Sequence, residues 1–463
     1  MAVPLWETMV EICRKILKDS LKPEWLLSES ELPPADQLDV STFIETCKRL
    51  TPPHQLTNLA TEFLVENSLR DAAELDAYFA KTGKLMGPLH GIPISVKEHV
   101  NMKGRICHAG YTAFIDNIAS EDAVLLQLLR AAGAVFHVRT NVPQSLMQFD
   151  CSNLIYGTTV NPFNRKLTSG GSSGGEGAIL GLRGSVLGIG TDIGGSVKVP
   201  AAINGGYGLQ PTALRNPLMD IVLFQQAVID QRPWDMDSMV VPLPWKRLQP
   251  AAARDFTVGV MWDDGIIHPH PPITRGMKYA VEKLEAAGVK VVDFEPHQHE
   301  EGWDVSRQMY FPDGGARIRQ LLAETGEKHA FLTDVALNWV EQTELTSNEL
   351  SILKLRREGL WANYHQLMKD RGVDFILCPN YVGVAPLLDH SCLACPTGLK
   401  ADPAIDVVGS DYTPRSAEDS RDYKTYVPEA YAGAPIGLQF VGKRFCDEET
   451  VAAALFVSKI VQS

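Results

Sequence analysis

The chain has 463 residues, of which 45% are hydrophobic and 21% are charged, and its formal net charge is −13. This composition allows a large buried core, and the acidic balance excludes nucleic acid and anionic membrane surfaces as expected partners, since both require a basic surface. The N-terminal residues include acidic side chains and no continuous apolar segment, and no run of 18 apolar residues occurs. We therefore expect no secretory signal, no membrane span and a cytoplasmic location.

The cysteines and histidines do not predict a metal site. The eight cysteines are scattered and lack the spacing of a disulfide framework. Cys392 and Cys395 form a CxxC pair without the second pair that a zinc site needs, and His268 and His270 lie among prolines without a third ligand. All four are interpreted as structural residues.

The pattern of apolar residues predicts a series of helices and strands. The N-terminal part is predicted to be helical at 5–18, 41–50 and 58–84, with a loop at 21–37. A short strand at 92–96 follows and ends at Lys97. Beyond it, we expect helices at 120–132, 274–287, most of 302–370 and 448–461, and strands at 134–139, 254–261, 289–294, 373–379 and 434–442. This alternation predicts an α/β fold with a largely buried parallel or mixed sheet.

A stretch rich in glycine and serine, residues 165–212, lies between apolar segments. It contains two loops, SGGSSGGEG at 169–177 and GTDIGGS at 190–196. Glycines at this density cost backbone entropy, so they indicate positive φ angles or a close approach of the backbone to another group. Serines within such loops can reach a ligand with their hydroxyl groups. The stretch therefore predicts an active site.

Several known loop types fit this stretch poorly. A phosphate loop requires Gly-Lys-Ser/Thr, which is absent, and residues 188–194 have one residue too many for a dinucleotide loop. Residues 171–175 match the GxSxG nucleophile elbow, but a polar segment with no predicted strand precedes them.

A serine hydrolase built from two serines and a lysine is the remaining catalytic hypothesis. Ser196 follows small residues whose amides can converge into an oxyanion hole. A serine needs a base, and a lysine desolvated by an apolar strand, such as Lys97, can be neutral near pH 7. Two alternatives stay open: tight glycine turns with surface serines, and Lys97 as an exposed residue at the end of its strand. The nearby His90, His99 and His108 are interpreted as packing or solvent-facing residues.

Three motifs together resemble the amidase signature family. They are PISVK ending at Lys97, GGSSGGEGA at 170–178 and GTDIGGSVKVPAA at 190–202. The resemblance covers nearly the whole chain, and four further segments are similar to the fungal acetamidase branch: 87–98, 233–245, 268–277 and 433–442.

The resemblance implies a Ser–cis-Ser–Lys triad. Ser196 matches the nucleophile, Ser172 the bridging serine after a cis peptide bond from Gly171, and Lys97 the base. The remaining matched positions are the oxyanion-hole amides of Ile193, Gly194 and Gly195, and the supporting residues Ser173 and Asp192. The implied fold is a mixed central β-sheet covered by α-helices on both sides, without metal or organic cofactor. We expect an N-terminal helical segment at 1–84 and a single compact amidase signature domain at 85–463.

The chain departs from the family pattern at several points. Val197 and Lys198 stand where Ile-Arg is usual, and Gln210 replaces a usual basic residue. Relatives have a few dozen more residues after Thr212, and another gap follows Pro386. We expect an intact triad with altered pocket walls. The gap after Thr212 is predicted to leave apolar surface uncovered around three residues, Leu218, Ile221 and Leu223.

These observations predict an amidohydrolase that cleaves a small or medium linear carboxamide to a carboxylate and ammonia through an acyl-enzyme on Ser196. One alternative is an amidase-like protein that is weak or inactive because of the missing segments. Another is an amidotransferase subunit that passes ammonia to a partner, which the acetamidase-like segments disfavour. The expected partner is the small amide substrate, and we allow for a homodimer.

Overall fold

A computed structural model of the chain describes most of its length, with short gaps. The described residues are 5–43, 52–210, 213–215, 218–248, 251–252, 255–380, 390–409 and 412–463. They divide into two compact units. The first contains Met1–Thr191, Pro211–Arg247 and Ile318–Asp334, and the second contains Asp192–Gln210, Leu248–Arg317 and Val335–Ser463.

The helices and strands alternate along the described chain. The α-helices are α1 (Leu5–Asp19), α2 (Pro52–Thr57), α3 (Val65–Thr82), α4 (Val124–Ala131), α5 (Gly174–Gly181), α6 (Lys198–Ile203), α7 (Met219–Ile229), α8 (Pro271–Ala286), α9 (His299–Tyr310), α10 (Ala316–Thr325), α11 (Phe331–Leu337), α12 (Ser347–Asp370), α13 (Ala417–Thr425) and α14 (Asp447–Val461). The strands are β1 (Ala60–Phe63), β2 (Pro93–Lys97), β3 (Val135–Thr140), β4 (Ser152–Asn153), β5 (Gly157–Thr158), β6 (Val160–Asn161), β7 (Asn164–Thr168), β8 (Leu187–Ile189), β9 (Tyr207–Leu209), β10 (Ala213–Arg215), β11 (Thr257–Val260), β12 (Lys290–Asp293), β13 (Phe375–Pro379), β14 (Cys392–Lys400) and β15 (Pro435–Val441).

The first unit contains a mixed sheet with strands in the order β1-β3-β2-β8-β10. The inner pairs β2–β3 and β2–β8 are parallel, and the outer pairs β1–β3 and β8–β10 are antiparallel. Strand β2 lies in the middle, and its residues from Ile94 to Lys97 are buried. Parallel strands buried on both faces are usually apolar throughout, so the polar Ser95 and Lys97 are exceptions that point to a special role.

The second unit also contains a mixed sheet, with strands in the order β9-β14-β15-β13-β11-β12. The pairs from β9 to β13 are antiparallel, and the two pairs from β13 to β12 are parallel. Helices α9 and α12 pack against each other in this unit, and α12 begins with a capping box between Thr346 and Glu349. The predicted α/β class with a mixed sheet is confirmed.

The predicted helix at 58–84 is partly wrong. Residues 60–63 form strand β1, which pairs with β3, and the helix begins only at Val65. Leu69, an apolar residue of this helix, is 65% exposed. Pairing with a strand about 75 residues further along the chain is a tertiary contact that local periodicity cannot reveal. The helix predicted at 41–50 lies mostly outside the described residues.

Several further strands were not predicted, among them β14 and β7. Cys392 and Cys395 lie in β14, where both side chains are buried, and burial raises the pKa of the Cys395 thiol to about 12. This agrees with a structural interpretation of the CxxC pair. The polar segment before the GxSxG match does form a strand, β7, but it pairs only with β6 in a two-stranded sheet.

The expected exposed surface after Thr212 is mostly absent. Leu218 and Ile221 are 2% and 0% exposed, and only Leu223 keeps 39% of its surface. Helix α7 packs against α4 and β10 of the same unit, and this packing covers the apolar side chains. Within the described part of the chain, no helix is both long and apolar enough to cross a membrane.

Candidate active site

Lys97 is the last residue of β2, and its side chain is fully buried in the first unit. Its ammonium nitrogen Nζ donates hydrogen bonds to Ser172 Oγ at 2.8 Å and to Thr191 Oγ1 at 3.0 Å. The alternative of an exposed lysine at the end of its strand is therefore wrong. The hydrogen bond joins two residues that the sequence analysis assigned to the triad.

Ser172 follows a cis peptide bond from Gly171, as the resemblance implies. Side chains are excluded at Gly171 because a Cβ atom there would lie 2.1 Å from the carbonyl oxygen of Asp150. At Gly175 a Cβ atom would lie 2.4 Å from the amide nitrogen of Asn141. Glycine is needed at these two positions because the neighbouring backbone lies too close for a side chain. The loop that contains Ser172 therefore packs directly against the backbone of Asp150 and Asn141.

Ser173 precedes α5, and its Oγ lies 3.4 Å from both the amide nitrogen and the carbonyl oxygen of Thr191. Thr191 Oγ1 also lies 3.2 Å from Nε2 of the half-buried His99. Burial, together with the neighbouring charge of Lys97, holds the pKa of His99 well below its usual value. His99 is therefore a neutral packing residue, in agreement with its interpretation from the sequence.

Asp192 organises the second glycine-rich loop, which belongs to the second unit. Its carboxylate accepts hydrogen bonds from the amides of Gly195 at 2.6 Å and Val197 at 2.9 Å, and from Lys198 Nζ at 2.9 Å. Burial alone would raise the pKa of Asp192, but the ammonium group of Lys198 and the amide donors hold it below its usual range. The carboxylate thus shapes the loop that ends in Ser196.

The two unusual residues of this loop region contact each other. Lys198 Nζ donates to Gln210 Oε1 at 2.8 Å, in addition to its bond with Asp192, and the Lys198 side chain is 1% exposed. A lysine has three donors but no planar fork, so a neutral acceptor beside the carboxylate can satisfy a second of its N–H groups. Lys198 and Gln210, two residues that depart from the family pattern, are therefore joined by a hydrogen bond.

Ser196 is 7% exposed and follows Gly195, whose φ of 125° is rarely adopted by residues with side chains. The amide of Gly195 donates a hydrogen bond to Asp192, so one of the three expected oxyanion-hole donors already has an acceptor. The carbonyl oxygen of Ile193 accepts a 3.3 Å hydrogen bond from the hydroxyl of Tyr310. The contact at Ile193 involves its carbonyl group, so the amides of Ile193 and Gly194 are the oxyanion donors to be tested.

The predicted residues fall into two groups. Lys97, Ser172 and Ser173 lie together in the first unit, whereas the second unit holds the loop with Asp192, Ile193, Gly194, Gly195 and Ser196. The sequence analysis missed Thr191 and Tyr310. Thr191 lies inside the GTDIGGS motif and could have been selected from it, but Tyr310 is distant in sequence and carries no such signal.

Glu176 was also missed, although it belongs to the first loop. Its side chain is fully buried, and its carboxyl oxygens accept hydrogen bonds from Ser95 Oγ and Thr140 Oγ1, both at 2.6 Å. Burial raises the pKa of Glu176 to about 7, against the opposing effects of the two hydroxyl groups and of Lys97.

The described residues contain no group of three or more His, Cys, Asp or Glu side chains placed to hold a metal ion. His268 and His270 each lie within hydrogen-bond distance of one carboxylate, from Asp419 and Asp422 respectively. These contacts agree with a structural role for both histidines.

The predicted site residues of the two units lie in the three motifs that resemble the amidase signature family. The Amidase family model matches residues 42–219 and 216–451. The chain belongs to the amidase signature family and is an amidase.

The relatives are similar over most of their length. The chain is 40% identical to a predicted amidase of Schizosaccharomyces pombe, over 88% of this chain and 83% of the relative. It is 35% identical to the acetamidase of Emericella nidulans, over 93% and 88% of the two chains. A solved fatty acid amide hydrolase is 33% identical, with a TM-score of 0.95 over 99% of this chain and 95% of the other.

The first prediction concerns the buried ion pair between Lys198 and Asp192. Lys198→Met should lower the free energy of unfolding by about 3 kcal/mol, because it leaves a buried carboxylate without its cation. Lys443→Met is the matched control in the same unit, since the pair of Lys443 with Asp374 is partly exposed and should be worth less than about 1 kcal/mol. Urea denaturation measures both, and equal losses would contradict the assignment.

The second prediction concerns the pH dependence of stability. The folded Glu176 keeps its proton to about pH 7, whereas an unfolded glutamate releases it near 4.5, so the stability that this group contributes falls as the pH rises through this window. Glu176→Gln should therefore gain stability relative to the wild type across the window, by on the order of 3 kcal/mol. Urea denaturation of both proteins at several pH values tests this. A constant difference would contradict the raised pKa.

Proposed function

We propose that this amidase hydrolyses small or medium linear carboxamides to a carboxylate and ammonia through an acyl-enzyme on Ser196. The observation that carries the proposal is the buried hydrogen bond from Lys97 Nζ to Ser172 Oγ. A lysine in this position, once deprotonated, can take a proton from Ser172, which in turn can take one from the nucleophile. Two similar proteins, an acetamidase and a fatty acid amide hydrolase, are named for their amide substrates, which supports an amide as substrate here.

The proposed reaction begins with neutral Lys97. Ser172 gives its proton to Lys97 and receives the proton of Ser196, whose oxygen attacks the amide carbon. The negative charge that develops on the substrate oxygen is stabilised by backbone amides of the second loop, with Ile193 and Gly194 as donors. The proton returns through Ser172 to the leaving nitrogen, the carbon–nitrogen bond breaks, and ammonia departs. Water then attacks the ester on Ser196 by the same proton route and releases the carboxylate.

The weaker alternative, an amidase-like protein with little turnover, gives a different experimental result. A fluorophosphonate probe labels an activated serine regardless of the carboxamide offered. Labelling of Ser196 combined with hydrolysis of acetamide, butyramide or benzamide supports the proposal. Labelling without hydrolysis of any of the three supports a pocket altered by the missing segments. Ammonia release only in the presence of an added acceptor subunit would favour an amidotransferase.

The third prediction concerns the nucleophile. Ser196→Ala should reduce amide hydrolysis by several orders of magnitude while the fold is retained, because only the attacking oxygen is removed. Ser458→Ala is a matched control, since Ser458 is also buried, at 8% exposure, in α14 of the same unit. Ammonia release under saturating substrate measures both variants. Substantial turnover by Ser196→Ala would redirect the assignment to Ser173.

The fourth prediction concerns the base. Lys97→Met should be nearly as damaging as loss of the nucleophile, since no proton acceptor remains for Ser172. In the wild type, the rate should rise with pH as Lys97 loses its proton, with a midpoint below the free lysine value of about 10.4. The pH dependence of kcat/KM measures this rise. A flat profile from mildly acidic to strongly alkaline pH would exclude a lysine base.

A further inference from the structure

Glu176 is a buried carboxyl group that the proposed reaction does not use. It lies in the first turn of α5, three residues after Ser173, and its side chain has no exposed surface. A carboxyl group in this position is costly unless its oxygens are hydrogen-bonded. Both oxygens are bonded here, so the group is built into the core of the first unit.

The two hydroxyl groups that bind Glu176 lie on the strand of Lys97 and on one neighbouring strand. Ser95 is two residues before Lys97 on β2, so both side chains point to the same face of the sheet. Thr140 is the register partner of Lys97 on the parallel neighbour β3. Each hydroxyl donates to a different oxygen of Glu176 at 2.6 Å, so one carboxyl group links α5 to β2 and to β3 close to the lysine.

The third strand at this position is shaped to admit the carboxyl group. Gly188 of β8 is the register partner of Ser95, and a Cβ atom at Gly188 would lie 2.1 Å from Glu176 Oε2. Any side chain at this position would displace the carboxyl group. Strands β2, β3 and β8 therefore form a fitted site for it.

The charged groups on the elements around Glu176 are few. Strand β2 contributes Lys97, which acts on the carboxyl group electrostatically, and β8 contributes only Leu187, Gly188 and Ile189. On β3, His137 and Arg139 alternate with the residues that share the face of Thr140. Strand β6 has no ionisable residue, and β10 carries Arg215 in sequence.

We propose that Glu176 is a positioning residue for Lys97: it ties the lysine's own strand β2 to the neighbouring strand β3 and, when ionised, favours the protonated form of Lys97. The inference rests on the proposed role of Lys97 as the base. An ionised carboxyl group makes the lysine a stronger proton acceptor but delays its deprotonation to higher pH. Glu176 thereby adjusts both the strength of the base and the pH at which it becomes active.

The test compares the pH dependence of kcat/KM in the wild type, Glu176→Gln and Glu327→Gln. Glu327 is the matched control, because it is a buried carboxyl group of the same unit that accepts hydrogen bonds from Thr112 and Gln144 instead. Glu176→Gln should move the midpoint of the rate increase to lower pH by about half a unit or more, and lower the alkaline plateau several-fold. Glu327→Gln should leave the midpoint unchanged. An unshifted midpoint in Glu176→Gln, or an equal shift in both variants, overturns the proposal.

Two further measurements distinguish the proposed effect of Glu176 on Lys97 from a folding defect and from the assignment of Lys97 as the base. Thr140→Val removes one donor to the carboxylate with little change in volume, so it should shift the midpoint in the same direction by a smaller amount. The ionisation of Lys97 can also be followed without turnover, by NMR of lysine labelled with ¹³C at Cε and assigned by its loss in Lys97→Met. If this titration moves in Glu176→Gln while Lys97→Met retains amidase activity, the proposed base is wrong but the Glu176–Lys97 coupling stands. A titration that does not move refutes the coupling.

Discussion

The structure of the first unit depends on one buried interaction, the hydrogen bond between the side-chain nitrogen of Lys97 and the hydroxyl of Ser172. A lysine in a strand buried on both faces is costly, so its surroundings must supply acceptors. Ser172 and Thr191 provide them, and both belong to the glycine-rich stretch. Gly171 allows this stretch to approach the backbone of Asp150, and Gly175 allows it to approach the end of β3, more closely than any side chain would permit.

The second loop follows the same rule with the opposite charge. Asp192 is buried, and it is satisfied by amides of its own loop and by Lys198. The carboxylate thus converts a flexible glycine segment into a fixed turn in front of Ser196. In this loop, Lys198 and Gln210 depart from the family pattern together, and their mutual hydrogen bond shows why the two changes are compatible.

The sequence predicted those helices and strands whose apolar residues recur at a regular spacing. Helices α1, α4, α8 and α14 and strands β2, β3, β11, β12, β13 and β15 were predicted to within a few residues, because their apolar periodicity matches their burial. Strands β1 and β14 were missed, since their stability comes from pairing with distant segments. The apolar residues after Thr212 were expected to be exposed, but packing of α7 against α4 buries Leu218 and Ile221.

The sequence by itself determined the family and the candidate triad, because short motifs with fixed residue types identify both. Only the tertiary structure decided that Lys97 is buried against Ser172, that Asp192 is paired with Lys198, and that Tyr310 contacts the loop at Ile193. The surroundings of Glu176 could likewise not be predicted from the sequence, although the residue lies inside a motif. Its partners Ser95 and Thr140 are distant in sequence and meet it only when α5 packs on β2 and β3. Burial and hydrogen bonding are properties of that packing, and they set the charge of a side chain.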